Sequence, residues 1–208
     1  MRAYIYTGGA IDPTHITEHP KGDDLLIAAD GGWSNALTLG ERPSVLLGDL
    51  DSLDGEVPRD VELFRVPAEK DLTDTQLAVE LALQRGAKDI VIIGGLSGRL
   101  DHTLSNLAIL EHLHELHVHG VINDGFNRAR YLHNGSTLIG RSAYPYLSLL
   151  AADPVVKGVD IDGVKYPLKN AKLRKDHQYA VSNEMTGNCA FISVKKGGVY
   201  VIESRDAK

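Results

Sequence analysis

The chain has 208 residues, 43% of them hydrophobic, and a net charge of −6. That is enough for one large or two small domains with real cores. The acidic balance and the lack of a basic tract exclude a surface built to neutralise nucleic-acid phosphates. The apolar runs are short, such as residues 90–93, and too short to span a membrane. The N-terminus reads directly as a strand rather than a signal peptide, and one cysteine excludes an internal disulfide, so a cytoplasmic protein is expected. Cys189 falls in an apolar strand pattern and reads as a buried spacer.

Residues 2–7 read as a strand closed by Gly8-Gly9. Residues 25–29 form a second, closed by Asp30-Gly31-Gly32. A short helix over 34–39 follows, beside the core candidate Trp33 and stopped by Gly40 and Pro43. Residues 44–47 and 61–66 are the third and fourth strands. Residues 73–85 make a helix with Leu77, Ala78, Leu81 and Ala82 on its apolar face and Gly86 as its stop. Thr73 and Gln76 have the spacing of a capping box. Residues 89–93 are a strand closed by Gly94-Gly95. The next helix, 104–116, carries a stripe of Leu104, Leu107, Ala108 and Leu110, and 118–122 is a last strand. His112, His114, His117 and His119 straddle that helix end without zinc-site spacing and read as a solvated surface.

Strand–helix alternation predicts an α/β fold, a three-layer domain with a mostly parallel sheet over residues 1–127. From about residue 128 the helical period disappears. Strand patterns at 146–150, 159–161, 190–194 and 199–202 alternate with His133-Asn134-Gly135-Ser136, Asp162-Gly163 and Lys196-Gly197-Gly198. Such pairs tolerate positive φ and read as tight hairpin turns. Residues 128–208 therefore read as an antiparallel β-sandwich.

Open parallel sheets bind ligands beyond the carboxyl ends of their strands. Asp30, Asp49, Asp51 and Asp101 follow such ends. Carboxylates a few Å apart repel by about 1–4 kcal/mol per pair, depending on local dielectric, so a cation is expected among them. Asp49 and Asp51 are two apart and share one side of an extended segment, a platform suited to Mg²⁺ that keeps phosphate ligands. The alternative is a polar turn. Asp71 and Asp74 flank a helix start, where Asp74 also favours the helix dipole. Helix N-termini bind phosphate as well. Asp101 can be a helix N-cap. Before it, Gly94-Gly95-Leu96-Ser97-Gly98-Arg99 offers glycine N–H groups and a guanidinium fork to an anion. That loop lacks the ending of a Walker A motif and does not match the dinucleotide fingerprint.

At these motifs the chain resembles the thiamine pyrophosphokinase family in its bacterial form. The matching text is Ala29-Asp30-Gly31-Gly32, Gly48-Asp49-Leu50-Asp51-Ser52, Lys70-Asp71-Leu72-Thr73-Asp74, Gly98-Arg99-Leu100-Asp101-His102-Thr103-Leu104-Ser105-Asn106 and Ser182-Asn183-Glu184. The motifs stand in family order and span most of the chain. The resemblance implies transfer of a pyrophosphoryl group from ATP to the thiamine hydroxyl, releasing AMP. It also implies a homodimer with thiamine held between one subunit's catalytic domain and the other's β domain. Asp49, Asp51 and Asp74 would hold Mg²⁺ and the phosphates, with Asp30 nearby. Asp71 or Asp74 would accept the hydroxyl proton. Thr73, Arg99, Asp101 and His102 would line the nucleotide pocket. Ser182, with Asn183 beside it, would meet thiamine. Some relatives place a C-terminal tryptophan against thiamine; here that half has none, and a tyrosine such as Tyr179 would have to stand in. A pyrophosphokinase for a hydroxymethylpterin and a non-catalytic nucleotide or thiamine sensor are the alternatives.

Overall fold

The computed structural model describes residues 1–48, 59–66 and 71–206. The chain divides into two compact units, Met1–Gly125 and Phe126–Lys208.

The first unit contains β1 (Arg2–Tyr6), β2 (Leu25–Ala29), α1 (Gly32–Thr38), β3 (Val45–Gly48) and β4 (Glu62–Arg65), then α2 (Asp74–Gln84), β5 (Asp89–Ile93), α3 (Leu100–Glu115) and β6 (His119–Asn123). Its six strands are parallel in the order β4-β3-β2-β1-β5-β6. The chain leaves β1 towards β2 and leaves β5 in the opposite direction. The crevice between β1 and β5 is thus the switch point where ligands settle in open α/β sheets.

Side chains alternate across the sheet, which gives each helix its face. Tyr4, Tyr6, Val91 and Ile93 pack with Ala36 of α1 and with Ile16. Ala28 and Leu46 meet Trp33 and Val61, so Trp33 is the core contact its sequence position predicts. On the opposite side a Cβ at Gly120 would lie 2.8 Å from Leu113 and 3.0 Å from Leu110 of α3, so a larger residue there would push the helix away. α2 lies beside α3, and the two share a groove lined by Val79, Ala108 and Ile109. Helices on both faces complete three layers.

α2 starts where its capping box says. Thr73 Oγ1 accepts from the Gln76 N–H at 3.2 Å, and Gln76 Oε1 accepts from the Thr73 N–H at 3.0 Å. α3 begins a turn earlier than expected, at Leu100, with Arg99 as N-cap. Asp101 is therefore in the first turn rather than at the cap. Its carboxylate accepts from the His102 N–H at 3.0 Å and pairs with Arg99. The buried stripe of α3 is Asn106, Ile109, Leu110 and Leu113, while Leu104 is 58% exposed. Moving the helix start by a turn adds residues without changing the stripe; the misreading lay in taking Leu104 and Ala108 as apolar and therefore inward.

The second unit is all β: β7 (Asn127–His133), β8 (Ser136–Gly140), β9 (Tyr146–Ala151), β10 (Val155–Asp162), β11 (Leu168–Arg174), β12 (Cys189–Lys196) and β13 (Gly198–Ser204). β13 pairs antiparallel with β7 and β9, and a four-stranded antiparallel sheet runs β11-β10-β12-β8. Leu147, Leu149, Val199 and Val201 of the first set meet Val156, Val159, Ile161, Ala190, Ile192 and Val194 of the second in one core. This is the sandwich predicted from the turn spacing.

Two expectations are corrected. His133–Ser136 and Lys196–Gly198 are not hairpins, because β7 and β13 belong to one sheet and β8 and β12 to the other. These two turns carry the chain between sheets and bond to each other through Asn134 N–H to Gly197 carbonyl (3.3 Å) and Gly197 N–H to Asn134 Oδ1 (2.8 Å). Positive-φ turn residues specify that the chain reverses, not which strand it then pairs with. Cys189 is exposed, because the inward positions of β12 are Ala190, Ile192 and Val194. One residue of parity decides the side.

A buried ion cluster ties β7 to β13. Glu203, 1% exposed, accepts from Arg128 Nε at 2.8 Å and Nη2 at 2.6 Å, from Arg130 Nη1 at 2.5 Å and from Ser142 Oγ at 2.9 Å. Burial pushes the Glu203 carboxyl up, but the two guanidinium groups outweigh it and hold it below the usual range.

Candidate active site

Three loops meet at the carboxyl edge of the parallel sheet, and small residues let their backbones touch. Gly8 and Gly31 are neighbours there, and a Cβ on Gly31 would meet the Gly8 Cα at an ordinary contact distance of 3.7 Å. At Gly32 glycine is required, since a Cβ would fall 1.9 Å from the Tyr6 carbonyl oxygen. Two asparagines fasten the loops. Asn35 of α1 donates to the carbonyls of Thr7 (2.7 Å) and Gly9 (3.0 Å). Asn106, buried in α3, donates to the Gly95 carbonyl at 2.9 Å. In the sequence Asn106 only closes the Gly98–Asn106 motif, with no role of its own, and Asn35 is not marked at all. For Asn35 the signal is an amide residue inside a helix, where its propensity is low.

The glycine loop after β5 is partly committed. The N–H of Gly94 donates to the Asn123 carbonyl at 2.8 Å, so it is not available to a ligand as expected. Gly94, Gly95 and Gly98 all have positive φ, which shapes a turn few other residues tolerate.

Beside this crevice lies an open cleft of about 350 Å³ lined by Ala29, Asp30, Asp71, Leu72, Thr73, Asp74, Thr75 and His102. It gathers Asp30 from the end of β2, the N-terminus of α2 and His102 from the first turn of α3. Asp71, Thr73 and Asp74 are therefore brought together with Asp30 and His102. Asp49, Asp51 and Lys70 lie outside the described residues.

Asp30 is the unusual member. Its backbone is left-handed at φ 47°, and its Oδ1 is buried without a hydrogen-bond partner among the described residues. A buried carboxylate oxygen left unsatisfied costs about 1–3 kcal/mol or more. Such a cost is tolerated where a ligand or ion completes the site. The donor set of the cleft is oxygen-rich and acidic, which suits a hard divalent cation and not a soft metal. No cluster of three His, Cys, Asp or Glu side chains suited to a metal exists among the described residues. Asp30 with Asp74 thus fits as part of a cation site, not the whole of one.

Arg99 and Asp101 form an exposed two-pronged pair, Nε to Oδ1 at 3.1 Å and Nη2 to Oδ2 at 2.6 Å. The Arg99 guanidinium holds the Asp101 carboxyl below its usual range. Two of the five guanidinium N–H donors are engaged with Asp101, and a phosphate can take others.

In the β unit a second cavity of about 130 Å³ is lined mainly by Leu147, Leu149, Tyr166, Leu168, Tyr179 and Asn183. Ser182 is exposed, has φ 54°, and donates its N–H to Ser148 Oγ at 3.0 Å. Asn183 is buried and its amide is committed within the fold. Tyr179, the tyrosine considered as a tryptophan substitute, lines this cavity together with Tyr166, which sequence reading did not single out. The four histidines do not assemble: His112 faces Glu80 at 3.5 Å and His119 faces Asp89 at 3.1 Å.

Comparison with known proteins bears on both units. The family profile described as thiamin pyrophosphokinase, catalytic domain, matches residues 18–122, and the vitamin B1 binding domain of the same family matches 136–199. A thiamine pyrophosphokinase of Bacillus subtilis is 28% identical over 197 residues, 92% of each chain. The crystal structure of thiamine pyrophosphokinase from Bacillus subtilis superposes with a TM-score of 0.87 at 25% identity, covering all of both chains. A thiamin pyrophosphokinase family protein from Enterococcus faecalis gives 0.80 at 29% identity, again over all of both chains.

Proposed function

The chain belongs to the thiamin pyrophosphokinase family, and from that premise we propose that it transfers the pyrophosphoryl group of ATP to the hydroxyl of thiamine, giving thiamine diphosphate and AMP. The observation that carries this reading is the buried carboxylate oxygen of Asp30, without a partner among the described residues, in one cleft with Asp71, Asp74 and the N-terminus of α2. Acidic oxygens beside a helix N-terminus suit a cation and an anion together, which is what a metal–triphosphate brings.

In the reaction the thiamine oxygen bonds to the β-phosphorus of ATP. The bond from that phosphorus to the oxygen bridging the α-phosphate breaks, and AMP leaves with the bridging oxygen. The hydroxyl proton passes to a carboxylate of the cleft, Asp71 or Asp74. Little else is asked of the protein than position and charge balance. Asp49, Asp51 and Asp74, with Asp30, are the residues that would hold Mg²⁺. When bound, Mg²⁺ neutralises phosphate oxygens. The positive end of α2, with Thr73 at its cap, faces the phosphates, while Arg99, Asp101 and His102 border the nucleotide. The first unit is then the catalytic, ATP-binding domain and the β unit the thiamine-binding domain, with Ser182 meeting thiamine. The working protein is a cytoplasmic homodimer.

The test is incubation with ATP and thiamine, with and without Mg²⁺, followed for AMP and thiamine diphosphate. Stoichiometric AMP and thiamine diphosphate that require Mg²⁺ are expected. AMP formed with a hydroxymethylpterin and not with thiamine would reassign the acceptor. ATP binding with no AMP from either acceptor would make the chain a sensor and overturn the proposal.

A further inference from the structure

Beside Leu147, Leu149, Ile161 and Leu168 of the strands, two separate stretches of chain outside the strands line the β-unit cavity. One is the connection between β10 and β11, which carries Tyr166. The other is the segment Tyr179 to Asn183, which enters from β11. Neither stretch is a strand of either sheet, and isolated backbone bridges, Leu147–Asn183 and Val164–Met185, tie them to what surrounds them.

One buried side chain spans them. Asn183, 7% exposed, accepts through Oδ1 from the Tyr166 N–H at 3.0 Å and from the Glu184 N–H at 3.0 Å. Its Nδ2 donates to the Tyr166 carbonyl at 2.8 Å. Both backbone polar groups of Tyr166 are therefore held by one amide. The Asn183 backbone is fixed in turn by a two-way bridge to Leu147 of β9, N–H to carbonyl at 3.0 Å and the reverse at 2.8 Å. Supporting bonds run beside it: Lys165 N–H to Glu184 carbonyl at 2.9 Å and Thr186 N–H to Gly163 carbonyl at 2.9 Å. Ser182, the preceding residue, is thereby set in its left-handed conformation next to β9.

We infer that Asn183 is a positioning residue: it does not itself grip the acceptor but holds the Tyr166 loop and Ser182 in place beside the cavity where the acceptor binds. The inference rests on the proposed reading of the β unit as the thiamine site. A carboxamide suits this task because it is both donor and acceptor within one plane. A carboxylate at the same place keeps the two N–H bonds but turns a lone pair towards the Tyr166 carbonyl, where a donor is needed.

The experiment compares wild type with Asn183→Asp and Asn183→Ala, measuring KM for thiamine, KM for ATP, kcat and amide exchange across residues 163–168. For Asn183→Asp the expected result is a rise of at least tenfold in KM for thiamine, with KM for ATP and kcat within twofold of wild type. Asn183→Ala should also speed amide exchange at Tyr166 by at least tenfold, and it reports on the loop even where its folding is weakened. Equal rises in both KM values, or a folded Asn183→Asp with wild-type KM for thiamine, overturn the inference alone. A wild-type protein that turns over no thiamine overturns it together with the proposed function.

Discussion

Two carboxylates, one in each unit, have oxygens buried on opposite terms: Glu203 is buried whole, whereas Asp30 is half-buried with only its Oδ1 shut away. Glu203 has four donors on its two oxygens, three of them from arginines, and sits inside a β-sandwich. Asp30 has a buried oxygen with no partner among the described residues, a left-handed backbone and an open cleft beside it. Where charge is completed by the fold, its removal should cost stability. Where it is left incomplete, its removal should cost activity and little else.

Substitutions at these sites can break that contrast. The largest effect is expected from Asp30→Asn, since asparagine tolerates the same left-handed backbone. Turnover with ATP and thiamine should fall at least a hundredfold, while the urea midpoint stays the same or rises. Parallel losses of turnover and stability would erase the distinction between the two carboxylates. Next comes Glu203→Gln, which leaves the buried guanidinium of Arg128 and the half-buried one of Arg130 short of their counter-charge. Unfolding free energy should drop by about 3–5 kcal/mol, while kcat of the folded fraction remains near wild type. The pH dependence sharpens the same point. The Glu203 carboxyl is lower in the folded than in the unfolded chain. Its contribution is therefore full above the unfolded value and fades as pH falls through the folded one. Stability measured by urea unfolding should decline on acidification below the ordinary glutamate range, and less steeply in Glu203→Gln. Smaller still is Thr73→Ala, which removes the capping box of α2. A loss of about 1 kcal/mol is expected, together with a raised KM for ATP. Smallest in stability is Arg99→Ala, because its pair with Asp101 is exposed. The melting temperature should not move, and KM for ATP should rise severalfold.

The parallel half of the fold was largely legible in the sequence, because buried parallel strands read as short apolar runs stopped by glycine. Residues 25–29 and 89–93 match β2 and β5 end to end. Three strands of the sandwich were not legible. β7 and β11, Asn-Arg-Ala-Arg-Tyr-Leu-His and Leu-Lys-Asn-Ala-Lys-Leu-Arg, place charge at alternating or outward positions and so lack an apolar run. β8 is short and mostly polar or half-exposed. The start of α3 was hidden because Arg99 supplies no side-chain cap. At the site, the grouping of Asp30, Asp71 and Asp74 followed from where strands and helices end. The clamps made by Asn35, Asn106 and Asn183 did not. A side-chain bond to a distant backbone carbonyl leaves no local pattern in the chain.

The most direct test of the contrast is titration of Mn²⁺, a paramagnetic stand-in for Mg²⁺, into wild type and Asp30→Asn in the presence of ATP. The water-proton relaxation enhancement of the ternary complex is the readout. The account predicts at least tenfold weaker ATP-dependent metal binding in Asp30→Asn, with Glu203→Gln indistinguishable from wild type in its folded fraction. Equal metal binding by wild type and Asp30→Asn would contradict it.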